Sequence, residues 1–257
     1  MIKKIIKKIL NHFNLELKTK HNPNVLTFGN SNIVKFENLY RICKKESLNI
    51  SKERFLTLYQ SINYVFKNDI QGDFVECGIF KGGSSMMMAY MLAEQFQSQK
   101  NQKIWMYDTF EGMANASKYD ENIDNQKAFI ELDRIKKKEN LNDIWAYSSL
   151  NYVKNNLKKT NIDEDKLIYI KGLVEETLYK KKPKEIALLR LDTDFYESTK
   201  SELEILYPLL QKGGILIIDD YGHWKGCKKA VDEYFLNKKD IFFQQIDYSG
   251  IVGVKTK

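Results

Sequence analysis

Cysteine is scarce in this sequence, and long apolar runs are absent. Only three cysteines occur, Cys43, Cys77 and Cys227, far apart and without a C-x-x-C pair. Such a set forms neither a disulfide framework nor a usual zinc or redox motif, so we expect a protein of the reducing cytoplasm. No apolar run approaches the roughly 18 residues that span a membrane, and the first residues lack the features of a signal peptide. We therefore expect neither an integral membrane protein nor a secreted one.

Proline is also rare, with three in 257 residues, and neither internal repeats nor low-complexity tracts interrupt the chain. The content of 43% apolar and 29% charged residues is that of a globular protein rather than a disordered one. A chain of this length is at the upper end of what one hydrophobic core supports. We predict one compact unit, in which residues 1–68 form an N-terminal helical cap and residues 69–257 the main domain.

Arginine-rich stripes with interleaved aromatic residues are absent, although the formal net charge is +7. The excess lysines are scattered, so we expect no nucleic-acid partner. One concentration occurs in MIKKIIKKILNHF (1–13), where apolar residues share one helical face and lysines the other. We prefer the interpretation that this amphipathic helix docks on its own domain or on a second subunit. The alternative is peripheral contact of residues 1–14 with an anionic membrane surface.

Buried strands and helices alternate through the rest of the chain. Because parallel strands need long crossovers, the alternation predicts an α/β fold with helices on both faces of a parallel sheet. The end of the chain, 241–256, reads as an antiparallel hairpin around Ser249-Gly250, which makes the sheet seven-stranded and mostly parallel. A helix is predicted over 198–210, with Ser198 and Thr199 as candidate N-caps. The five parallel strands lie in GDFVECGIF (72–80), KIWMYDTF (103–110), DKLIYIKG (165–172), IALLRLD (186–192) and GGILIIDDYG (213–222).

A glycine-rich turn joins the first predicted strand to the next helix, from Glu76 through Gly78 to Gly82-Gly83-Ser84. Glycine allows a ligand to approach the backbone, and a helix N-terminus offers free N–H donors. The turn matches neither G-x-G-x-x-G nor a P-loop, and its simplest alternative is a tight turn capped by Glu76. The second strand ends at Asp108, which is placed to accept the ribose hydroxyls of a nucleoside cofactor.

Carboxylates follow two further strands, in Asp192-Thr193-Asp194 and in Asp219-Asp220. If these strands are neighbours, four like charges meet at one rim, and either a cation binds or some pKa values rise. An all-oxygen set favours Mg²⁺, with Ca²⁺ or Mn²⁺ as alternatives. The other interpretation is a set of solvated aspartates and helix N-caps. His223, just beyond, suits a structural or substrate-contact role better than ligation of a hard cation.

Five segments together resemble, in order and spacing, the macrocin O-methyltransferase family, the TylF-like group of sugar methyltransferases. The resemblance implies a class I, Rossmann-like fold that uses S-adenosyl-L-methionine and a divalent metal, usually Mg²⁺. The reaction it implies is methylation of a hydroxyl on a sugar or glycosylated small molecule. The segments are GDFVECGIFKGGSS, YDTFEGM, KGLVEETL, LLRLDTDFYEST and GGILIIDDYG, within about residues 50–240.

The resemblance also implies a role for individual residues. Asp194 takes the position of the general base, which removes the proton of a metal-bound hydroxyl. No match covers the first 45 residues or residues 113–147, where the acceptor pocket is expected, and the candidates for acceptor contacts are Tyr196, Tyr221, His223 and Trp224. The implied cofactor residues are Glu76, Gly78, Gly82, Gly83 and Ser84 at the methionine end, Asp108 at the ribose and Glu176 at the adenine. The implied metal ligands are Asp192, Asp219 and Asp220.

Two other functions stay open at this point. Asp192-Thr193-Asp194 is also the D-x-D pattern of metal-dependent glycosyltransferases, although that function leaves the glycine turn unexplained. A membrane-surface or assembly module would use the basic N-terminal helix and not the aspartates. The apolar face of that helix, together with the resemblance, leads us to expect a homo-oligomer.

Overall fold

Helices and strands alternate along residues 30–94, 102–136 and 145–257, which the computed structural model describes. The strands are β1 (Asp73–Cys77), β2 (Ile104–Asp108), β3 (Leu167–Lys171), β4 (Ile186–Leu191), β5 (Leu210–Ile218), β6 (Ile241–Gln245) and β7 (Ile251–Lys255). The helices are α1 (Asn30–Cys43), α2 (Lys52–Lys67), α3 (Gly83–Glu94), α4 (Ala128–Lys136), α5 (Leu150–Lys158), α6 (Val174–Lys180), α7 (Tyr196–Leu206) and α8 (Lys225–Phe235). The amphipathic helix predicted for residues 1–14 lies outside the described residues.

The strands of the described residues form one seven-stranded sheet in the order β3-β2-β1-β4-β5-β7-β6. β1 to β5 pair in parallel, whereas β7 runs antiparallel to both β5 and β6. The predicted mostly parallel sheet with a terminal hairpin is therefore confirmed. A single strand order also decides which loops meet, because the carboxyl ends of β1 to β5 lie along one edge.

The central strands are apolar on both faces because helices cover both. Neighbouring residues of a strand point to opposite faces. Phe74 packs on Phe66 of α2, with ring centroids 5.8 Å apart, whereas Val75 belongs to the buried cluster that contains Leu178 of α6 and Leu203 of α7. The sheet therefore has α2 on one side and α6 and α7 on the other.

The helix after β4 begins earlier than the sequence predicts. α7 starts at Tyr196, and Phe195 at its N-cap makes no side-chain capping hydrogen bond. Ser198 and Thr199, the predicted caps, are buried within the first turn. Ser198 Oγ donates to the Phe195 carbonyl oxygen at 3.1 Å, so it bonds back within the helix instead of accepting from a free N–H. The predicted cap positions are therefore wrong by three to four residues.

Residues Lys35–Lys257 form one compact unit, in which α2 packs against α3, β4 and β5. The other unit, Met1–Val34, is described only from residue 30, where α1 begins. Within the described ranges, no helix is both long and apolar enough to cross a membrane. A boundary between a cap and a main domain at residues 68 and 69 stays a prediction.

Candidate active site

The carboxyl ends of the parallel strands open into one cavity of about 230 Å³. The strand order reverses between β1 and β4, and such a switch point is where open α/β sheets bind ligands. We call the lining residues of the loops after β1, β2 and β3 the glycine-turn half. The carboxylate half comprises the lining residues after β4 and β5, with Leu48–Ile50, Arg54, Tyr248 and Ser249.

The turn after β1 brings the backbone of this loop against the end of β4. Gly78 has a φ of +83°, and a Cβ at this position would lie 1.9 Å from the Asp192 carbonyl oxygen. A Cβ on Gly83 would lie 1.8 Å from Ser47 Oγ. Gly78, Gly83 and Ser84 line the cavity, but Gly82, with a φ of +91°, does not. Glycine is thus required at positions 78 and 83 because other atoms of the protein lie against the turn there, and three of the four predicted turn positions line the cavity.

Glu76 lies beneath the cavity and does not line it. Its side chain is fully buried and accepts hydrogen bonds from the hydroxyls of Ser84 and Ser85. Arg190 Nη1 donates to Glu76 Oε1 at 2.7 Å. These partners offset the cost of burying a carboxylate. Glu76 therefore stabilises both the glycine-rich turn and the buried guanidinium group of Arg190.

Asp108 lines the glycine-turn half and also shapes it. Its Oδ2 accepts from the backbone N–H groups of Ile79 at 2.6 Å and Phe80 at 3.2 Å, and its Oδ1 from that of Phe110 at 2.6 Å. Burial raises the pKa of Asp108, and these backbone hydrogen bonds oppose the rise. The carboxylate thus fixes the conformation of two loops at the wall of the cavity, and its role at a ribose stays a prediction.

Glu175, rather than the predicted Glu176, lines the cavity. Glu176 is exposed. Glu175 Oε2 is buried and has no hydrogen-bond partner, and burial raises the pKa of this carboxyl group. An unpaired buried carboxylate oxygen is costly, so this atom marks a place where a ligand donor fits.

Three carboxylates meet in the carboxylate half. Asp192, Asp219 and Asp220 each offer an oxygen, and these oxygens lie within 4.8 Å of one another. Asp192 N donates to the Cys77 carbonyl oxygen and Asp219 N to that of Leu191, both at 2.9 Å. The neighbouring strand ends β1, β4 and β5 therefore hold the three aspartates in register.

Two arginines hold the carboxylates of this cluster. Arg190 Nη1 donates to Asp192 Oδ2 at 2.8 Å and its Nη2 to Asp219 Oδ1 at 2.6 Å. Arg54, on α2, ion-pairs with the other oxygen of Asp219 and, through Nε, with Asp247 Oδ2 at 2.8 Å. Asp219 is thus fixed between two guanidinium groups, whereas Asp220 has neither as a partner.

The pKa values in the cluster reflect burial and repulsion. Burial raises the pKa of Asp192 and Asp220 well above its ordinary value, and the neighbouring carboxylates raise both further, although Arg190 opposes the rise at Asp192. Burial raises the pKa of Asp194 to about 6, with opposing hydrogen bonds from the Asp220 and Trp224 side chains. Its backbone has a φ of +64°, and its N–H donates to Asp220 Oδ2 at 3.2 Å.

These carboxylates fit a hard divalent cation. They are all-oxygen donors, and they are too close to ionise together without compensation. Asp192, Asp219 and Asp220 would hold the ion, and Asp194 would lie beside it. The chemistry of the donor set therefore agrees with the predicted metal.

Comparison with known proteins decides the family. The sequence profile described as Macrocin-O-methyltransferase (TylF) matches residues 45–253. The chain belongs to the macrocin O-methyltransferase family. This methyltransferase uses S-adenosyl-L-methionine, and the predictions of the family and of an O-methyltransferase are confirmed. The D-x-D glycosyltransferase alternative is excluded.

The chain is similar to curated O-methyltransferases over most of its length. The chain is 29% identical over 210 residues to demethyldecarbamoylnovobiocin O-methyltransferase of Streptomyces niveus, covering 81% of this chain and 75% of the relative. It is 30% identical over 185 residues to a rhamnosyl-tetracenomycin C 4'-O-methyltransferase of Streptomyces olivaceus, covering 72% and 66%. The solved structure of the O-methyltransferase NovP superposes with a TM-score of 0.67 at 28% identity, covering 81% of each chain.

A buried glutamate of the methyltransferase links its two cavity halves. Glu202 of α7 is fully buried, and Thr193 Oγ1 donates to its carboxyl oxygens at 3.0 and 3.1 Å. The Cys77 thiol hydrogen-bonds the same carboxyl group. Burial raises the pKa of Glu202 well above its ordinary value. Glu202 therefore ties the residue before Gly78 to the residue between Asp192 and Asp194.

The four predicted acceptor candidates separate into two pairs. His223 and Trp224 line the cavity. The hydroxyl of Tyr196 donates to Glu233 Oε2 and that of Tyr221 to Asp232 Oδ1, both at 2.7 Å, and neither ring lines the cavity. His223 Nδ1 is buried without a hydrogen-bond partner.

Sequence reasoning missed Arg54, Arg190, Glu175 and Glu202. Arg190 had a signal, because one charge inside the apolar strand IALLRL must find a buried partner. Glu202 and Arg54 had none, since each reads as an ordinary polar position of a helix. The Cys77 partner of Glu202 and the Asp219 partner of Arg54 lie far along the chain, and only the packing of α7 and α2 brings them together.

Proposed function

We propose that this enzyme transfers a methyl group from S-adenosyl-L-methionine to a hydroxyl of a sugar or glycosylated acceptor, with Mg²⁺ held by Asp192, Asp219 and Asp220. The observation that carries the proposal is the continuity of one cavity, in which the glycine-turn half adjoins a cluster of three carboxylates with Asp194 beside it. The printed names of the relatives support a glycosylated acceptor, since one acts on a rhamnosyl compound.

The residues of the chain divide the work between the two halves. Gly78, Gly83 and Ser84 admit the cofactor, Asp108 faces its ribose, and the buried oxygen of Glu175 accepts a donor from its base. S-adenosyl-L-methionine supplies an electrophilic methyl group, and a bound divalent cation makes a hydroxyl easier to deprotonate.

Asp194 is the proposed base. A pKa of about 6 leaves its carboxylate ionised at neutral pH, so an oxygen of Asp194 can accept the acceptor's hydroxyl proton. Its left-handed backbone is a conformation that costs about 1 kcal/mol or more, and the N–H contact with Asp220 helps to maintain it. Arg190 holds the carboxylates of Asp192 and Asp219 in place, so that both can bind the metal ion.

Calorimetric titration with S-adenosylhomocysteine, with and without Mg²⁺, tests the cofactor step without an acceptor. We expect binding in the micromolar range, about −8 kcal/mol. Transfer of a labelled methyl group to glycosides should then be lost on treatment with EDTA and return with Mg²⁺. Full transfer in the presence of EDTA would disprove the metal role.

Further proposals concern the oligomeric state, the location in the cell and the N-terminal residues. We propose a cytoplasmic homo-oligomer with residues 1–68 as a cap on the domain 69–257. The basic sequence 1–13 supports either a subunit contact or a membrane-surface contact. Flotation with anionic liposomes, compared with a variant lacking residues 1–14, and light scattering of both proteins distinguish these two roles.

A further inference from the structure

We infer that Arg54 makes the binding of the cofactor and the binding of the divalent cation depend on each other, so that each ligand raises the affinity for the other about tenfold. Arg54 is in this sense a positioning residue, because it joins a segment that lines the cavity to the carboxylate of Asp219. The inference rests on the proposed function and concerns the connection between its two binding sites.

Residues 46–50, between α1 and α2, line the cavity from one half to the other, and we call them the connecting segment. The first part of this segment lies against the start of α3. A Cβ on Gly83 would lie 1.8 Å from Ser47 Oγ and 2.9 Å from the Glu46 carbonyl oxygen. The Tyr152 hydroxyl of α5 donates to Glu46 Oε2 at 3.0 Å. A cofactor in the turn at Gly83 would therefore lie against the connecting segment.

Arg54 holds the last part of the connecting segment. Asn49 has a φ of +52°, and such a left-handed backbone persists only where the surrounding structure maintains it. Arg54 Nη2 donates to the Asn49 carbonyl oxygen at 3.1 Å. Ser47 and Asn49 are only two positions apart, so a displacement of the segment at Ser47 also moves the carbonyl group that Arg54 binds.

The same guanidinium group holds a proposed metal ligand. Arg54 Nη1 ion-pairs with Asp219 Oδ2, and Arg54 Nε donates to Asp247 Oδ2 at 2.8 Å. All three nitrogens of a planar, rigid group thus have partners. Arg54 is 7% exposed, so water does not readily replace any of them. The guanidinium group therefore cannot follow the Asn49 carbonyl without moving relative to Asp219.

A ligand at either end of this series of contacts favours the same arrangement. A cofactor against the connecting segment would fix Asn49, and through it the position of Arg54 at Asp219. A cation would fix Asp219, which has lone pairs for both a metal ion and an arginine, and through it the position of Arg54 at Asn49. Thermodynamic linkage requires the effect to be equal in both directions.

The first test measures this coupling in the full-length wild-type enzyme. Calorimetry gives the affinity for S-adenosylhomocysteine without a divalent cation and with saturating Mn²⁺. Electron paramagnetic resonance gives the affinity for Mn²⁺ with and without S-adenosylhomocysteine, which lacks the positive sulfonium of the cofactor and so does not repel the cation. We expect each ligand to bind about tenfold more tightly when the other is bound, and the two ratios to be equal.

The second test removes the connection while keeping the charge. Arg54→Lys retains a cation for Asp219, but one ammonium group cannot bind Asn49, Asp219 and Asp247 in the same fork geometry. Both ratios should fall below about twofold. A residue with a merely structural role would lower stability or both affinities without changing the ratios. Lys52→Met, at a side chain 47% exposed on the same helix, is the control and should keep the wild-type ratios.

The third test loosens the connecting segment and leaves Arg54 intact. Leu48 is 42% exposed and lies between Ser47 and Asn49. Leu48→Gly makes the backbone more flexible, so the ratios should fall to about threefold or less. Leu48→Ala removes the same side chain beyond Cβ but keeps the backbone restricted, and it should retain ratios of about tenfold.

The outcomes separate the inference from the proposed function. Independent or mutually weakened binding of the two ligands by the wild type would overturn the inference, as would an unchanged ratio in Arg54→Lys. If that variant does not fold, an unchanged ratio in Leu48→Gly overturns it. Each of these results leaves the cofactor and metal sites standing. Failure to bind Mn²⁺ would instead refute the metal site, and failure to bind S-adenosylhomocysteine would refute the cofactor site.

Discussion

Arg190 of β4 and Glu76 of β1 are direct partners in the parallel sheet, and Arg190 Nη1 donates to Glu76 Oε1 at 2.7 Å with neither residue more than 2% exposed. The same guanidinium reaches Asp192 and Asp219. One buried cation thus joins the glycine-turn half of the cavity to the carboxylate half.

Arg190→Met should destabilise the protein by about 3–5 kcal/mol, because it leaves buried carboxylates without their cation. Arg190→Lys keeps the charge but lacks the second donor arm, so its free energy of unfolding should lie between those of wild type and the methionine variant. Urea denaturation measures both. Arg134→Met, at a residue whose side chain is 72% exposed, is the control and should change stability by less than about 0.5 kcal/mol. Equal losses of stability in Arg190→Met and Arg134→Met would show that Arg190 does not stabilise the buried carboxylates.

Asp220→Asn should weaken divalent-cation binding about 100-fold while leaving S-adenosylhomocysteine binding unchanged. Asp220 has no arginine partner in the structure, so its neutral isostere removes a ligand without releasing a buried cation. Titration with Mn²⁺ followed by electron paramagnetic resonance measures the affinity directly. Asp232→Asn, at a side chain 52% exposed on α8, should have no effect. Unchanged Mn²⁺ affinity in Asp220→Asn would remove this residue from the metal site.

Glu175→Gln should change the affinity for S-adenosylhomocysteine by about tenfold, because the buried Oε2 is the free acceptor in the glycine-turn half. Glu176→Gln alters an exposed neighbour on the same helix turn and should leave the affinity unchanged. Calorimetry on both variants makes the comparison. A larger effect of Glu176→Gln would show that Glu176, the residue predicted from the sequence, contacts the cofactor instead.

Glu202→Gln should change how stability depends on pH. The folded-state pKa of Glu202 is raised well above the ordinary value of 4.5. Its contribution to stability is therefore fully present below about pH 4.5 and is lost as the pH rises toward the folded pKa, by about 1.4 kcal/mol per unit.

Glutamine does not titrate, so wild type should lose stability relative to Glu202→Gln over a pH range that begins at about 4.5, the ordinary pKa of a glutamate, and extends upward. Thermal or urea unfolding across this range measures the difference. Glu204→Gln, on the exposed side of α7, is the control and should run parallel to wild type. A pH-independent difference at Glu202 would show that its carboxyl group does not hold a proton in the folded state.

The alternation of apolar strands with helices was enough to predict the sheet, because each parallel strand must be covered on both faces. The order of motifs likewise predicted the family and the strand ends at which Asp108, Asp192 and Asp219 lie. These features depend on local periodicity and on residues adjacent in the chain.

Local patterns failed where two elements distant in sequence meet. The predicted caps of α7 were wrong because the helix begins at Tyr196, and Ser198 is buried within its first turn. Glu176 was named by the family resemblance, whereas the first turn of α6 directs the neighbouring Glu175 to the cavity. A one-residue shift rotates a side chain by about 100° around a helix, so spacing by itself does not decide which residue faces a ligand.

The sequence by itself determined the class of fold, the family and the residue types of the site. Only the tertiary structure decided which of those residues face the cavity and which support them. Arg54 on α2 and Arg190 within β4 each ion-pair with one oxygen of Asp219. Asp219 lies 165 residues from Arg54 and 29 residues from Arg190 along the chain. Charge compensation acts through space between buried groups, and a linear pattern records the charges without their distances.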